Sequence, residues 1–512
     1  MNELIQIPIN TIQPLKYNPY DIIKKKVYDY IIVGGGPTGL TLAWILSKEK
    51  KNVLIIEANE NLGGCHRVER VDGLFTEHGP RVYSDAFLNF IQILDKMKLN
   101  FYDMFKEYKF FKTDYKFSLY EYFSFIYELI NLSLYPNYSR EISIKKHMIK
   151  YNFSDASKDF VERLCRLTDG ATTEKYTLFQ FLQLINQQSF YKLYQPKLPN
   201  DRGLLLNWKN KLLDTKRVDI LTEFVVTKVY VDNLNLINSV EARHITRDIG
   251  FPINCKYCIL TIPPKPLVKL LNNSLRAKDA FGEIEDLNKW SLSNSYFDYI
   301  PITIHFKEKI KLPKIHGFPK SEWGIAFVVL SNYMKFNDKV EQGYSNTVIS
   351  TCITFTDRKS SVINKTANEC EMDEIYNEVY RQLKLSFKNL PLPYRMITSP
   401  QVKRENKGDG FRWINYDTAF VSTTKNNNID SHSEKITNLY SVGTHNGKSQ
   451  YYFTSIESAV QNAVVFAQSI LDENAMKEYE IQETFHITTI INMVLVILLF
   501  LIIIYIGKKL NF

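Results

Sequence analysis

Gly34, Gly36 and Gly39 stand in the string Gly34-Gly35-Gly36-Pro37-Thr38-Gly39, and glycines at this spacing serve one kind of chemistry: they bring backbone N–H groups against a phosphate. Gly34 permits a tight turn, Gly36 leaves room for a pyrophosphate, and Gly39 lets a helix pack closely on a strand. Pro37 and Thr38 open that helix, whose first N–H groups lack intrahelical acceptors and are free to meet phosphate oxygens. About 20 residues after the turn, Glu57 ends the run Asn52-Val-Leu-Ile-Ile-Glu57, placed to accept hydrogen bonds from a ribose diol.

These residues need a scaffold, and the flanking sequence supplies it. Val27-Tyr-Asp-Tyr-Ile-Ile-Val33 is a β-branched and aromatic run that predicts a strand; Leu40 to Lys48 has helical periodicity; Asn52 to Glu57 predicts a second strand. Strand, glycine turn, helix and strand in that order predict an α/β, Rossmann-like fold. Cys255-Lys-Tyr-Cys258 is a lone CxxC without a second pair or a histidine couple, so no metal site is expected.

Past Glu57 the chain reads Leu62-Gly63-Gly64-Cys65-His66-Arg67 and then Asp72-Gly-Leu-Phe75-Thr-Glu77-His78-Gly79-Pro80. With this second glycine turn the chain resembles the flavin-containing amine oxidase, protoporphyrinogen oxidase and phytoene desaturase superfamily. The resemblance implies a discontinuous, GR2-type FAD-binding domain with an α+β substrate domain, and FAD held noncovalently. It places Gly63, Gly64 and Arg67 at the FAD phosphates, although Cys65 stands where the family has arginine. It places Val226, in Leu221 to Val229, at the adenine, and it matches Tyr257 to Pro264 with the family's strand ending in a proline pair. Gly443 and Thr444 match its closing motif, with Thr444 in the place of an acid; Thr454 and Ser455 begin its last helix. Thr454-x-x-Glu457 reads as a capping box, and in the resembled family this helix end points at the flavin pyrimidine.

On the substrate side, Tyr451 and Tyr452 are expected as an aromatic pair beside the flavin, and His78, Arg81 and Tyr83 as cavity residues. Phe297 to Phe306 holds no lysine where amine oxidases carry one, which leaves C–N and C–C oxidation both open. The expected activity is oxidation of a small-molecule substrate by hydride transfer to flavin N5. One alternative is a UDP-galactopyranose mutase-like enzyme, with Arg404 and Arg412 as sugar-nucleotide contacts. The other is a non-enzymatic Rab-escort or GDP-dissociation-inhibitor-like protein, which the intact glycine set disfavours.

The FAD domain is expected from residues 25–85, 200–285 and 400–471, and the substrate domain from 86–199 and 286–399. Residues 472–486 read as a polar linker, and 487–506 as a transmembrane helix: about 20 uncharged residues at ~1.5 Å each span a ~30 Å hydrocarbon core. The segment before Pro19 carries no leader-like apolar run, so the expectation is a single-pass tail anchor with its body in the cytosol. The acidic flank Asp472 to Glu483 and the trailing Lys508 and Lys509 oppose that placement by charge. A net charge of +9 comes from lysines interleaved with acids, without a basic stripe, so nucleic acid is not an expected partner. Six scattered cysteines fit a reducing compartment.

Overall fold

The computed structural model of the chain describes residues 18–79, 81–108, 117–189, 191–296, 299–312, 321–336, 345–415, 420–421 and 428–509. The leader reading up to residue 17, Pro80, and positions 297 and 298 of the lysine-free segment lie outside them.

After a single helical turn at Pro19–Ile22 come β1 (Tyr28–Val33), α1 (Pro37–Lys48) and β2 (Val53–Ile56), then the hairpin β3 (Val68–Val71) and β4 (Leu74–Glu77). Helices α2 (Leu88–Lys96), α3 (Leu119–Leu134), α4 (Ile144–Lys150), α5 (Asp155–Asp169) and α6 (Leu178–Asn186) follow. α7 (Leu204–Asp214) leads back to β5 (Val218–Leu221), β6 (Phe224–Val231), β7 (Ile237–His244) and β8 (Gly250–Leu260), with α8 (Pro264–Asn272) after them. A second unit holds β9 (Ile300–Phe306), β10 (Ile325–Val329), β11 (Thr347–Ile353), α9 (Met372–Ser386) and β12 (Arg395–Ile397), and ends in the hairpin β13 (Val402–Asn406) and β14 (Phe411–Asn415). β15 (Leu439–Ser441), α10 (Ile456–Ile470) and α11 (Ile487–Lys509) complete the chain.

The nucleotide-type sheet runs β5-β2-β1-β8-β7-β6, with β15 added on β8. β5, β2, β1, β8 and β15 are parallel, whereas β6, β7 and the first half of β8 form an antiparallel meander. β1 and β2 are covered on both faces, which is why they read as unbroken apolar runs. On one face α1 and α10 pack together with α2 and α7; on the other the meander and α8 close a second core. The run Leu221 to Val229 is not one strand. It turns at Glu223, at φ +64°, between parallel β5 and antiparallel β6.

β10-β11-β9-β12 form an antiparallel sheet backed by α9. This sheet meets the first unit where β4 lies against β9: Thr76 Oγ1 and Thr303 Oγ1 are 3.1 Å apart, and His305 Nε2 donates to the Phe75 carbonyl at 2.9 Å. Residues 472–486 are not a loose linker. Met476 and Tyr479 are buried in the α1/α10 core, and Gln482 N donates to Asn89 Oδ1. α11 then leaves the body almost uncovered; its Ile487–Ile506 stretch is long and apolar enough to cross a membrane.

Candidate functional site

α1 starts at Gly36 with extended backbone and no side-chain cap, and Pro37 at its first position removes one N–H. The remaining N–H groups of that turn therefore face out of the helix end toward the second glycine loop. A Cβ on Gly39 would run into Gly34 O, so only glycine lets α1 seat against β1. Gly63, at φ +116°, makes the second turn, and its N–H donates to Gly35 O at 2.8 Å, tying both loops together. Between the loops, a Cβ on Gly36 would have only Gly64 Cα within 4 Å, at 3.8 Å. Backbone alone thus lines a cradle of the kind a pyrophosphate needs.

Glu57 is buried at the end of β2. Its Oε2 accepts from Gly35 N at 2.7 Å, and its Oε1 accepts from Asn59 N and Nδ2 at 2.9 and 2.7 Å. The acid braces the glycine turn, and a carboxylate's four lone-pair sites leave acceptor capacity beyond these three bonds. Arg67 folds back on its own loop, donating to Gly64 O at 3.1 Å and pairing with Glu69 at 3.0 Å. Val226 sits buried in β6, two residues after Phe224, whose N–H donates to Glu57 O.

The far end of the sequence closes on this cradle. Thr38 Oγ1 donates to Ala459 O at 3.3 Å, across 421 positions, so α1 and α10 are neighbours. The expected box at Thr454 and Glu457 is not the cap. Ser455 is the N-cap and Ser458 its reciprocal partner. Glu457 is drawn away because α2 begins at Phe87 without a side-chain cap: its carboxylate accepts from Asn89 N, Asn89 Nδ2 and Phe90 N at 3.1, 2.6 and 2.8 Å. Glu457 caps a different helix, and burial holds its pKa above the usual carboxylate value. Gly443 N donates to Asn446 Oδ1, and Thr444, half-buried, starts a single 3-10 turn. The following His445 is buried against Ser441 Oγ, and that burial pushes its pKa down to about 3.

Tyr451 and Tyr452 do not form a pair. Tyr451 is buried edge-on to Phe87, whereas Tyr452 is exposed, edge-on to Phe179 with the Arg140 guanidinium nearby. Arg404 and Arg412 also fall away from the cradle. Arg404 is held by Glu371 and the carbonyls of Asn368 and Glu369, and Arg412 pairs with Asp409 at the exposed β13–β14 turn.

A buried polar cluster stands at the β4/β9 junction instead. His78 accepts from Asn415 Nδ2 at Nδ1 (3.0 Å) and packs its ring 5.8 Å from Tyr299; burial holds it neutral, well below the usual histidine pKa. Gly79 gives Tyr299 its space, since a Cβ there would come within 2.7 Å of the tyrosine oxygen. Glu77 Oε1 and two guanidinium nitrogens of Arg81, Nε and Nη2, are buried without a hydrogen bond. Burial pushes Glu77 up to about 7, with Arg81 opposing. A buried guanidinium with unclaimed donors fits an anionic or carbonyl oxygen, and an acid near 7 exchanges protons at neutral pH. Glu77 and Tyr299 escaped the sequence reading because their partners come from the other unit. Cys255 and Cys258 are buried in β8, and among the described residues no cluster suited to a metal occurs.

A model of the NAD(P)-binding Rossmann-like domain matches residues 32–97. A UDP-galactopyranose mutase of Mycoplasma genitalium is 38% identical over 72 residues, 12% of this chain and 17% of that protein. Putrescine oxidase of Kocuria rosea is 32% identical over 79 residues, 15% of this chain and 16% of that protein. The chain thus spans about a sixth of the length of these curated relatives at this level of similarity. A solved putrescine oxidase, a triple mutant redesigned in cofactor binding, aligns over 86% of this chain and 98% of its own, with a TM-score of 0.62 at 15% identity. The fold is shared with the solved putrescine oxidase and with a solved cyclohexylamine oxidase from Brevibacterium oxydans, which aligns over 87% of this chain and 99% of its own with a TM-score of 0.57 at 11% identity.

Proposed function

We propose that this chain, built on the flavin amine oxidase fold, is an FAD-dependent oxidoreductase acting on a C–N or C–C bond of a small molecule, and that α11 anchors it in a membrane. The observation that carries the reading is the joined pair of glycine loops with the Gly36/Gly64 face between them, closed by α10 through Thr38 and Ala459. Bound FAD supplies a two-electron acceptor for substrate hydride at flavin N5. The N–H groups at the start of α1 and around Gly64 hold the pyrophosphate, with Arg67 bracing that loop. Glu57 receives the ribose hydroxyls while it keeps Gly35 in place, and Val226 borders the adenine. Gly443, Thr444, Thr454 and Ser455 close the opposite side with the α10 N-terminus, whose partial positive charge favours an anion by about 1 kcal/mol. Arg81 and Glu77 orient the substrate, with His78 and Tyr299 packed beside them. The mutase alternative lacks its arginine contacts, since Arg404 and Arg412 are engaged elsewhere.

Purified protein is expected to be yellow and to bleach anaerobically with its substrate. Gly36→Val, which fills the cradle, is expected to leave the circular dichroism intact while weakening FAD binding about tenfold or more, ~1.4 kcal/mol. Protein that stays colourless and refuses reconstitution with FAD overturns the reading.

A further inference from the structure

α3 is built inside out. Its two acids, Glu121 and Glu128, are buried, while Leu119, Tyr120, Tyr122, Phe123, Ile126 and Tyr127 are between 48% and 76% exposed. At 100° per residue these six fall within an arc of about 160°, and no charged residue of α3 lies in it. The inward acids are fully engaged. Glu121 accepts from Ser118 N, Ser154 N and Ser157 Oγ at 2.7, 2.9 and 2.6 Å, which against the cost of burial brings its pKa down to about 2. Glu128 accepts from Tyr151 Oη and Asn131 Nδ2 at 3.0 and 3.2 Å. The helix therefore keeps its charges by giving them partners indoors, and offers water an aromatic and aliphatic face that a water-facing surface rarely carries.

We propose that this face of α3 lies in the interfacial region of the same bilayer that α11 crosses, so that the body rests on the membrane at two points. The inference rests on the anchor reading of α11. Three observations select a bilayer as the occupant. First, the face is continuous with the start of the span: Thr488 N donates to Asn186 Oδ1 at the end of α6, His486 meets Gln187 at 3.1 Å, and Ile491 packs into the cluster that holds Phe125 and Leu129 of α3. Second, tyrosines make up half of the six, and their rings suit a surface that is apolar on one side and wet on the other. Third, α4 adjoins the face through Tyr120 and Tyr151, with rings 6.3 Å apart. It carries exposed Lys146 and Lys150 beside an exposed Ile149, a basic rim placed for anionic headgroups.

The test places one tryptophan at a time in the full chain, reconstituted in phosphatidylcholine/phosphatidylglycerol vesicles with or without brominated acyl chains. Each variant is read against the parent protein. Ile497→Trp reports the span and Phe123→Trp reports α3; both sites are exposed, so neither substitution disturbs packing. Both are expected to lose roughly half of the emission they add when the lipid is brominated. Adding Ile126→Glu with Tyr127→Glu is expected to abolish quenching at Phe123→Trp while leaving it at Ile497→Trp. Quenching at Ile497→Trp alone overturns the α3 proposal and leaves the anchor standing. Quenching at neither site removes both, and cross-linking of Phe123→Trp chains through α3 without quenching assigns the face to a second copy and overturns the proposal.

Discussion

Helices α10 and α3 both turn glutamates inward, and they differ in what covers their other faces. On α10, Glu457 is buried and the first three turns are enclosed by α1, α2 and the sheet, so the acid serves as a cap in trans for α2 and its backbone borders the cradle. On α3, Glu121 and Glu128 are buried equally well, but the opposite arc stays largely exposed, touching only its flanks through Tyr120 on Tyr151 and Tyr122 on Phe117. The difference teaches that a buried acid by itself marks neither catalysis nor surface. It marks a place where uncapped backbone donors and serine or tyrosine hydroxyls collect, and the face left over tells what the helix is for.

The comparison breaks most directly at Glu457. Glu457→Ala strands the Asn89 and Phe90 N–H groups in an apolar core and is expected to cost about 3 kcal/mol, read from urea unfolding followed by circular dichroism. Loss of less than about 1 kcal/mol would mean that α2 is capped by something else.

The pH response is the next effect, and its sign differs between the helices. Glu121 is held at about 2 in the folded chain, below its ordinary value. Its stabilisation is complete above about pH 4.5 and is lost as pH falls toward 2. Glu457 is held above its ordinary value, so its contribution is complete below about pH 4.5 and declines as pH rises through its folded pKa. Glu121→Gln is therefore expected to flatten the acid side of the Tm profile, and Glu457→Gln the side above pH 4.5. Profiles that flatten on the same side would refute the contrast.

The smallest effect is a matched pair of apolar-to-serine substitutions, one buried and one exposed. Val460→Ser on α10 is expected to cost about 2 kcal/mol, whereas Ile126→Ser on α3 stays within about 0.5 kcal/mol in detergent. An equal cost for both would mean that α3 is covered by protein.

The glycine turn, β1, α1, β2, the second glycine loop and the apolar span were legible in the residues, because each rests on backbone conformation or on a run of one polarity within a few neighbours. The readings that failed were those in which a local pattern competed with a distant partner. Thr454-x-x-Glu457 is a sound local box, yet Glu457 meets stronger demand at α2, 367 positions away, and Ser455 with Ser458 takes over. Tyr451-Tyr452 is adjacent in sequence, but Tyr451 is buried against Phe87 while Tyr452 is exposed beside Phe179. Leu221 to Val229 is one β-rich run broken by the need to change from a parallel to an antiparallel neighbour.

The amino-acid order alone determined that a dinucleotide-type cradle forms, since glycine spacing acts through sterics that every surrounding fold must respect. Tertiary structure alone decided that Arg81 and Glu77 stand together in a buried cluster with Tyr299, that Glu457 caps α2, and that α3 shows its apolar arc outward. The physical reason is the same in each case: burial and hydrogen-bond partners come from whichever element arrives on the other side, and that element lies far away along the chain.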